Sequence, residues 1–316
     1  MNWKYGQVNG MTWGWTGARG TWGCAEADRS MEEMAKLGVD WVTLAFAAYQ
    51  DHPQATTIRY EEAPTITDDE LRRAIAKARE LGMRICLKPI VNCSNGVWRA
   101  HIGFFEQDVP GEPSWTEWFA SYERFMEHYA RIAEEEQVEL FAVGCEMVQM
   151  DRREAQIRAM IAKVRSVYSG LITYNCDKYQ EDRIGWWDAV DVISSSGYYP
   201  TGTWEAHLAR IQSVVDAYGK PFLFLEGGCP SREGASLRPN DWSLAGAADE
   251  EEQARYYEEV FRHCQPQSWV LGFMFWDWPA RLYAPADAAA NDDYCIYGKK
   301  AAEVVSRYYQ SRSLIG

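Results

Sequence analysis

The sequence predicts an α/β protein folded as a single (β/α)8 TIM barrel domain spanning residues 1–316. Three observations carry that prediction. Eight short apolar runs alternate with longer amphipathic stretches along the whole chain. Each run is continuously apolar rather than alternating, as expected of parallel strands buried on both faces. The length of 316 residues suits a barrel of roughly 250 residues with loop insertions. An open doubly wound sheet would favour a glycine-rich phosphate turn after the first strand. The stretch Val8-Asn9-Gly10-Met11-Thr12-Trp13-Gly14 is not of the form GxGxxG. No linker or internal repeat divides the chain.

The elements follow in order. Val8–Thr12 is the first predicted strand, and a helical pattern from Glu26 to Leu37 stops at Gly38. Trp41–Phe46, rich in Val, Thr and aromatic residues, is the second strand. Thr67 reads as an N-cap with Glu70 as its capping-box partner, and the helix it opens runs to Leu81 before Gly82. Arg84–Pro89 is the third strand; after a long loop a helix covers Trp115–Glu136. Leu140–Cys145 and Leu171–Asn175 are strands four and five, separated by a helix over Glu154–Val167. The connection around Trp186 and Trp187 shows no clear helical period. Val192–Ser196, the helix Trp204–Tyr218, Phe222–Leu225, the helix Glu250–Cys264, Val270–Phe275 and the helix Lys299–Gln310 complete the pattern.

Composition narrows the function. Hydrophobic residues make up 47% of the chain, enough for a large core. Lys and Arg total 32 against 46 Asp and Glu, a net charge of −14. This balance argues against nucleic acid or an anionic membrane as partner, since both reward basic patches. No stretch approaches the roughly 20 apolar residues needed to span a bilayer. Fifteen Trp and eighteen Tyr exceed what packing requires and suit a cleft that stacks on flat, partly apolar rings. Of the eight cysteines, Cys86, Cys145 and Cys176 lie within or at the ends of buried strands, and no CxxC pair occurs. Free thiols, with an N-terminus (Met1 to Gly6) lacking signal-peptide character, suggest a cytoplasmic protein. A monomer is expected.

Barrel active sites form at the C-terminal ends of the strands. Those positions hold Thr12 and Trp13, Tyr49, Lys88 and Asn92, Glu146, Asn175 and Asp177, Tyr198 and Tyr199, Glu226, and Trp276 and Asp277. Glu146 and Glu226 directly follow apolar strands four and seven, where an unpaired buried charge is costly unless it faces the barrel mouth. Either glutamate by itself would be explained by a salt bridge. Two of them on opposite strands, beside aromatic strand ends, point instead to carboxylates facing each other across a sugar ring. Retention of configuration needs such carboxyls roughly 5–5.5 Å apart, and inversion roughly 6.5–9.5 Å.

The segments Val8–Gly14, Phe141–Gln149, Ser196–Pro200, Phe222–Gly228 and Phe273–Pro279 resemble glycoside hydrolase family 113, the endo-β-1,4-mannanases, within the large retaining clan of barrel glycosidases. The resemblance covers nearly the whole chain. It implies a hydrolase acting on β-mannan or manno-oligosaccharides by double displacement, with Glu146 as acid/base and Glu226 as nucleophile. Glu146 must then start protonated and Glu226 ionised. Most of the wider clan has Asn before the acid/base to hold the substrate 2-hydroxyl, whereas this chain has Cys145. Cys145 stands among the candidate substrate-binding residues by its position, but a thiol is a weak donor, so another group must hold that hydroxyl.

Around the pair, Tyr198 is expected to orient Glu226, with Tyr199 as the alternative. Trp276 lies where the family places its sugar platform. Trp13 and Trp204 are candidate platforms for neighbouring sugars or else packing residues. Lys88, Asn92 and Arg99 are candidates for binding hydroxyls, and Lys88 alternatively partners a barrel carboxylate. Asp277 is a candidate third carboxylate. His52, His101, His128, His207 and His263 show no metal-ligand spacing, and neither HExxH nor GxSxG occurs. No metal or cofactor is expected. The competing readings are another retaining β-glycosidase of the clan (β-glucanase, xylanase or β-mannosidase) and a non-catalytic carbohydrate-binding barrel.

Overall fold

The computed structural model describes residues 3–15 and 17–312; Met1 and Asn2, where the reading of the N-terminus begins, lie outside them. Strands β1 (Val8–Trp13), β2 (Trp41–Gln50), β3 (Arg84–Cys93), β4 (Leu140–Cys145), β5 (Leu171–Cys176), β6 (Val192–Gly197), β7 (Phe222–Gly227) and β8 (Val270–Trp278) close into a barrel in sequence order. Every neighbouring pair is parallel, including β1 with β8. Helices α1 (Ala25–Ala35), α2 (Asp68–Glu80), α3 (Trp115–Glu135), α4 (Glu154–Arg165), α5 (Trp204–Tyr218), α6 (Glu250–Cys264) and α7 (Lys300–Arg312) accompany the strands.

Two apolar layers follow from the alternation of side chains along each strand. Val8, Trp41, Cys86, Leu140, Ala142, Val192, Leu223, Leu225 and Met274, contributed by strands alone, fill the barrel interior. Trp3 stacks on Trp41 at 5.3 Å from outside that cluster. The intervening strand residues, such as Phe141, Val143, Phe222 and Phe224, pack outward with the helices. Closure between β1 and β8 is tight. A Cβ at Gly10 would lie 2.2 Å from Met274 Sδ and 2.5 Å from the Phe273 carbonyl.

Helix α2 starts at the expected capping box, with Thr67 accepting from the Glu70 amide and Glu70 reaching back to Thr67. Ser114 and Glu117 form the same arrangement at α3. The structure departs most from the sequence reading at the ends of three strands. Strands β2 and β3 run four residues further than predicted, and β8 runs three further. Backbone pairing of β2 with β3 continues past Pro89 through the buried pairs Ala47–Ile90 and Ala48–Val91 to Tyr49–Asn92 and Gln50–Cys93. Pro89 stays within β3, opposite Phe46 of β2 and beyond the two residues, Cys86 and Leu87, that pair with β4. Between β5 and β6 no α-helix forms among the described residues. Two short 3-10 turns, Glu181–Arg183 and Trp187–Ala189, take its place. Trp186 and Trp187 are consecutive and both buried, a pattern no single amphipathic face accommodates.

Candidate active site

Two backbone irregularities bring the carboxylates to the barrel mouth. On β7 the interior residues are Leu223 and Leu225, so strict alternation would send Glu226 outward among the helices. The register with β6 jumps from Ser195–Phe224 to Ser196–Glu226. Leu225 is thus an extra residue, and the bulge turns Glu226 back to the mouth. On β4 the register with β5 jumps from Ala142–Thr173 to Cys145–Asn175, which turns Cys145 inward. Glu146 then adopts φ 52°, a left-handed conformation unusual for a non-glycine residue. Its amide donates to the Asn175 carbonyl at 2.8 Å. Behind it, a Cβ at Gly144 would lie 2.9 Å from both Tyr122 Oη and the Tyr174 ring, so only glycine lets those rings support the strand.

The two buried carboxylates have unlike surroundings. Glu226 Oε1 accepts from Lys88 Nζ at 2.5 Å and from the Cys145 thiol at 3.2 Å; Oε2 accepts from Tyr198 Oη at 2.9 Å. Burial by itself would raise the Glu226 carboxyl, but the Lys88 and Arg99 cations and the bonds from Lys88 and Cys145 hold it below the usual range. Glu146 Oε1 accepts from Ser196 Oγ at 2.8 Å and Oε2 from Arg99 Nη2 at 3.0 Å. Burial and the adjacent Glu226 charge raise its carboxyl despite Arg99, Ser196 and Lys88. Such divergence separates an acid from a permanent anion. Burial also raises Asp177, with Glu146 adding to it, to about 7. Burial holds the Cys145 thiol protonated, well above its ordinary value.

Above the pair opens a cleft of about 540 Å³ walled by Trp15, Trp98, Trp242 and Trp276, with Asn92, Arg99, Asp177 and Asn240 as polar groups. A second concavity of about 620 Å³ beside α6 holds none of the strand-end residues. Trp276, Asn92, Arg99 and Tyr198 line the cleft as the sequence suggested. Tyr199 does not share the Tyr198 position. Its hydroxyl bonds Glu181 at 2.5 Å and its ring stacks on His207 at 4.2 Å.

Five candidates do not line the cleft, and for Trp13, Trp204 and Lys88 this is the alternative the sequence also offered. Trp13 is 1% exposed, bonds Ser30 Oγ at 3.2 Å and packs on Trp22, because it faces outward from β1; Trp15, two residues later, reaches the cleft and packs on Trp276 at 5.4 Å. Trp204 is fully buried between Tyr199 and Phe224, on the inner face of the first turn of α5. Lys88 is fully buried with its ammonium on Glu226 and Asn175, which leaves it as the carboxylate's partner rather than a binder of hydroxyls. Cys145 is buried and spends its thiol on Glu226. Asp277 is not among the residues lining the cleft; burial, Asp293 and Glu226 raise it to about 7.

Ser196, Trp15, Trp98, Asn240 and Trp242 were not singled out for the site, and Asn175 and Asp177 were placed at a strand end without a role. Asn175 and Asp177 carried a signal, as polar residues at a strand end, whereas Trp98 and Trp242 sit in loops whose path no periodicity describes. Among the described residues no group of three or more His, Cys, Asp or Glu could hold a metal ion. No helix of the described residues is long and apolar enough to cross a membrane.

The model of Glycoside Hydrolase Family 113 matches residues 11–299. Two solved structures described as GH113 β-1,4-mannanases are 49% and 50% identical, each with a TM-score of 0.96, covering 97% of this chain and 100% of theirs. The GH113 β-mannanase AaManA from Alicyclobacillus acidocaldarius, in complex with ManMIm, is 44% identical with a TM-score of 0.94, covering 98% of each chain. A Ruminococcus gnavus β-glucuronidase at 15% identity and a TM-score of 0.66 shares the fold. A search of curated proteins returned no match.

Proposed function

The chain belongs to glycoside hydrolase family 113, and from that membership we propose that it is a retaining endo-β-1,4-mannanase acting on β-mannan and manno-oligosaccharides. Sequence identity of 44–50% to β-1,4-mannanases over nearly the whole chain supports the substrate. One observation supports the roles within the site: of two buried carboxylates, Glu226 is held ionised by Lys88 and Glu146 is pushed toward its protonated form.

In the first step the Glu226 carboxylate bonds to the anomeric carbon as the bond to the leaving oxygen breaks, and the Glu146 proton passes to that oxygen. In the second, Glu146, now anionic, takes a proton from water as the water oxygen bonds to the anomeric carbon. The bond to Glu226 breaks, and both carboxyls return to their starting states. Tyr198 aims Glu226 throughout, and Trp276 and Trp15 offer apolar faces to the sugar. Arg99 and Asn92 are the cleft donors placed to take the substrate hydroxyl that Cys145 does not reach. Eight free cysteines support work in a reducing compartment, on imported oligosaccharides.

A product time course on mannohexaose, with the anomer followed by NMR, tests the reading. Internal cleavage with β-configured new ends is expected. Release of the α-anomer, or no new reducing ends, would overturn it.

A further inference from the structure

We infer that Lys88 is a positioning residue that assigns the single proton of the carboxylate pair to Glu146, acting on Glu226 directly and on Glu146 through Asn175 and Ser196. The inference rests on the roles proposed above.

An ammonium has three N–H donors. One points to Glu226 Oε1 at 2.5 Å and another to Asn175 Oδ1 at 2.7 Å. The amide of Asn175 then donates to Ser196 Oγ at 3.0 Å, and Ser196 donates to Glu146 Oε1 at 2.8 Å. Every donor in this chain faces the same way, with a cation at its head and a carboxylate at its foot. Links aligned like this polarise one another, and burial strengthens each. Lys88, Asn175 and Ser196 are all fully buried.

One cation therefore serves two carboxylates unequally. Direct contact favours the anionic form of Glu226 more than two neutral groups favour that of Glu146, so the proton rests on Glu146. When the sugar occupies Glu226 as an ester, that carboxylate's charge is gone. The donor chain then ends on the one remaining anion of the pair, just as Glu146 must be ionised to take a proton from water. Lys88 itself neither gains nor loses a proton in this scheme.

Other groups face the pair. Arg99 contacts Glu146 and adds its field at Glu226. Asp177 after β5 and Asp277 on β8 act as anions toward Glu146 and Glu226 respectively when ionised. Lys178 lies beyond Asp177. Cys145 and Tyr198 are neutral donors to Glu226. Of the cations, Lys88 forms the ion pair with Glu226 and Arg99 the pair with Glu146. Arg99 thus pulls the proton off the wrong carboxylate, and Lys88 is the group that offsets it.

The test is the pH dependence of kcat/KM on a manno-oligosaccharide for the wild-type protein, Lys88→Met and Ser196→Ala, since its two limbs report the free enzyme's carboxyls. Lys88→Met is expected to move the acidic limb upward by about one pH unit or more, the effect of losing an opposite charge in contact. Ser196→Ala, which of the two carboxylates touches only Glu146, is expected to leave the acidic limb in place and move the alkaline limb upward. Profiles lowered in height with both limbs unmoved would reduce Lys88 to packing and overturn the inference. Should Lys88→Met fail to fold, an unmoved alkaline limb in Ser196→Ala overturns it by itself. Failure of the proposed mechanism reads differently: the wild-type protein would then lack a bell-shaped profile or release the inverted anomer.

Discussion

The Cys145 thiol lies 3.2 Å from Oε1 of Glu226, so the residue preceding one carboxylate of the pair is a donor to the other. Its backbone carbonyl accepts from Arg99 Nε at 2.9 Å, which ties the same residue to the cleft wall. The place that the wider clan gives to an asparagine facing substrate is here part of the support for Glu226.

Replacing that thiol should therefore weaken catalysis without abolishing it. A hydrogen bond of this kind contributes about 0.5–1.5 kcal/mol, so Cys145→Ala is expected to lower kcat/KM about 2- to 10-fold, while Cys145→Ser retains most activity. Steady-state kinetics on mannotetraose measure both. An alanine variant as active as wild type would mean the thiol only fills space.

The two carboxylates should separate cleanly under chemical rescue. Glu226→Ala is expected to lose turnover by several orders of magnitude, and added azide to restore it with a product of inverted configuration. In Glu146→Ala, azide should yield a retained product from an activated substrate. Exchange of the two outcomes would reverse the assigned roles.

Trp242 is 66% exposed at the cleft and packs on Tyr294 at 4.8 Å. An exposed ring contributes little to folding, within about 0.5 kcal/mol, yet a sugar stacked on it would gain about 0.5–1.5 kcal/mol. Trp242→Ala should therefore raise KM about 2- to 10-fold on oligosaccharides long enough to reach it, with Tm nearly unchanged. Equal KM values for variant and wild type across oligosaccharide lengths would remove Trp242 from the binding surface.

Asp151 predicts a pH effect on stability. It accepts a hydrogen bond from Tyr174, whose oxygen also accepts from the Met147 amide beside Glu146. Burial raises its carboxyl to about 8, against the opposing Tyr174 bond. The unfolded value is about 3.9. Because the folded value is the higher one, its contribution is full below about pH 4, declines as pH rises, and levels off above about 8. Asp151→Asn keeps the acceptor and removes the titration. Urea unfolding at pH 5 and pH 8 should show a difference in stability smaller in the variant than in wild type by about 1 kcal/mol or more. Identical pH dependence would place the effect elsewhere.

Much of this molecule was legible in the sequence because its signals are local. Continuous apolar runs marked all eight strands, and the Thr67–Glu70 box marked the start of α2. The ends of β2, β3 and β8 lie beyond their predicted limits because backbone pairing continues past residues that break the strand pattern, Pro89 in β3 and Asp277 in β8. Trp13 and Trp15 show the same divide: composition called for rings at the site, and only the orientation of β1 decided which ring reached it.

What the sequence by itself determined is that Glu146 and Glu226 stand at the ends of the fourth and seventh strands of a barrel. What only the tertiary structure decided is that both face the mouth, and with which partners. Strict alternation would have turned Glu226 away, and a one-residue bulge at Leu225 reverses it. A bulge is a backbone event set by pairing with the neighbouring strand, so no pattern of side chains along β7 announces it. The chain from Lys88 through Asn175 and Ser196 is likewise assembled from three strands, and barrel closure alone brings them together.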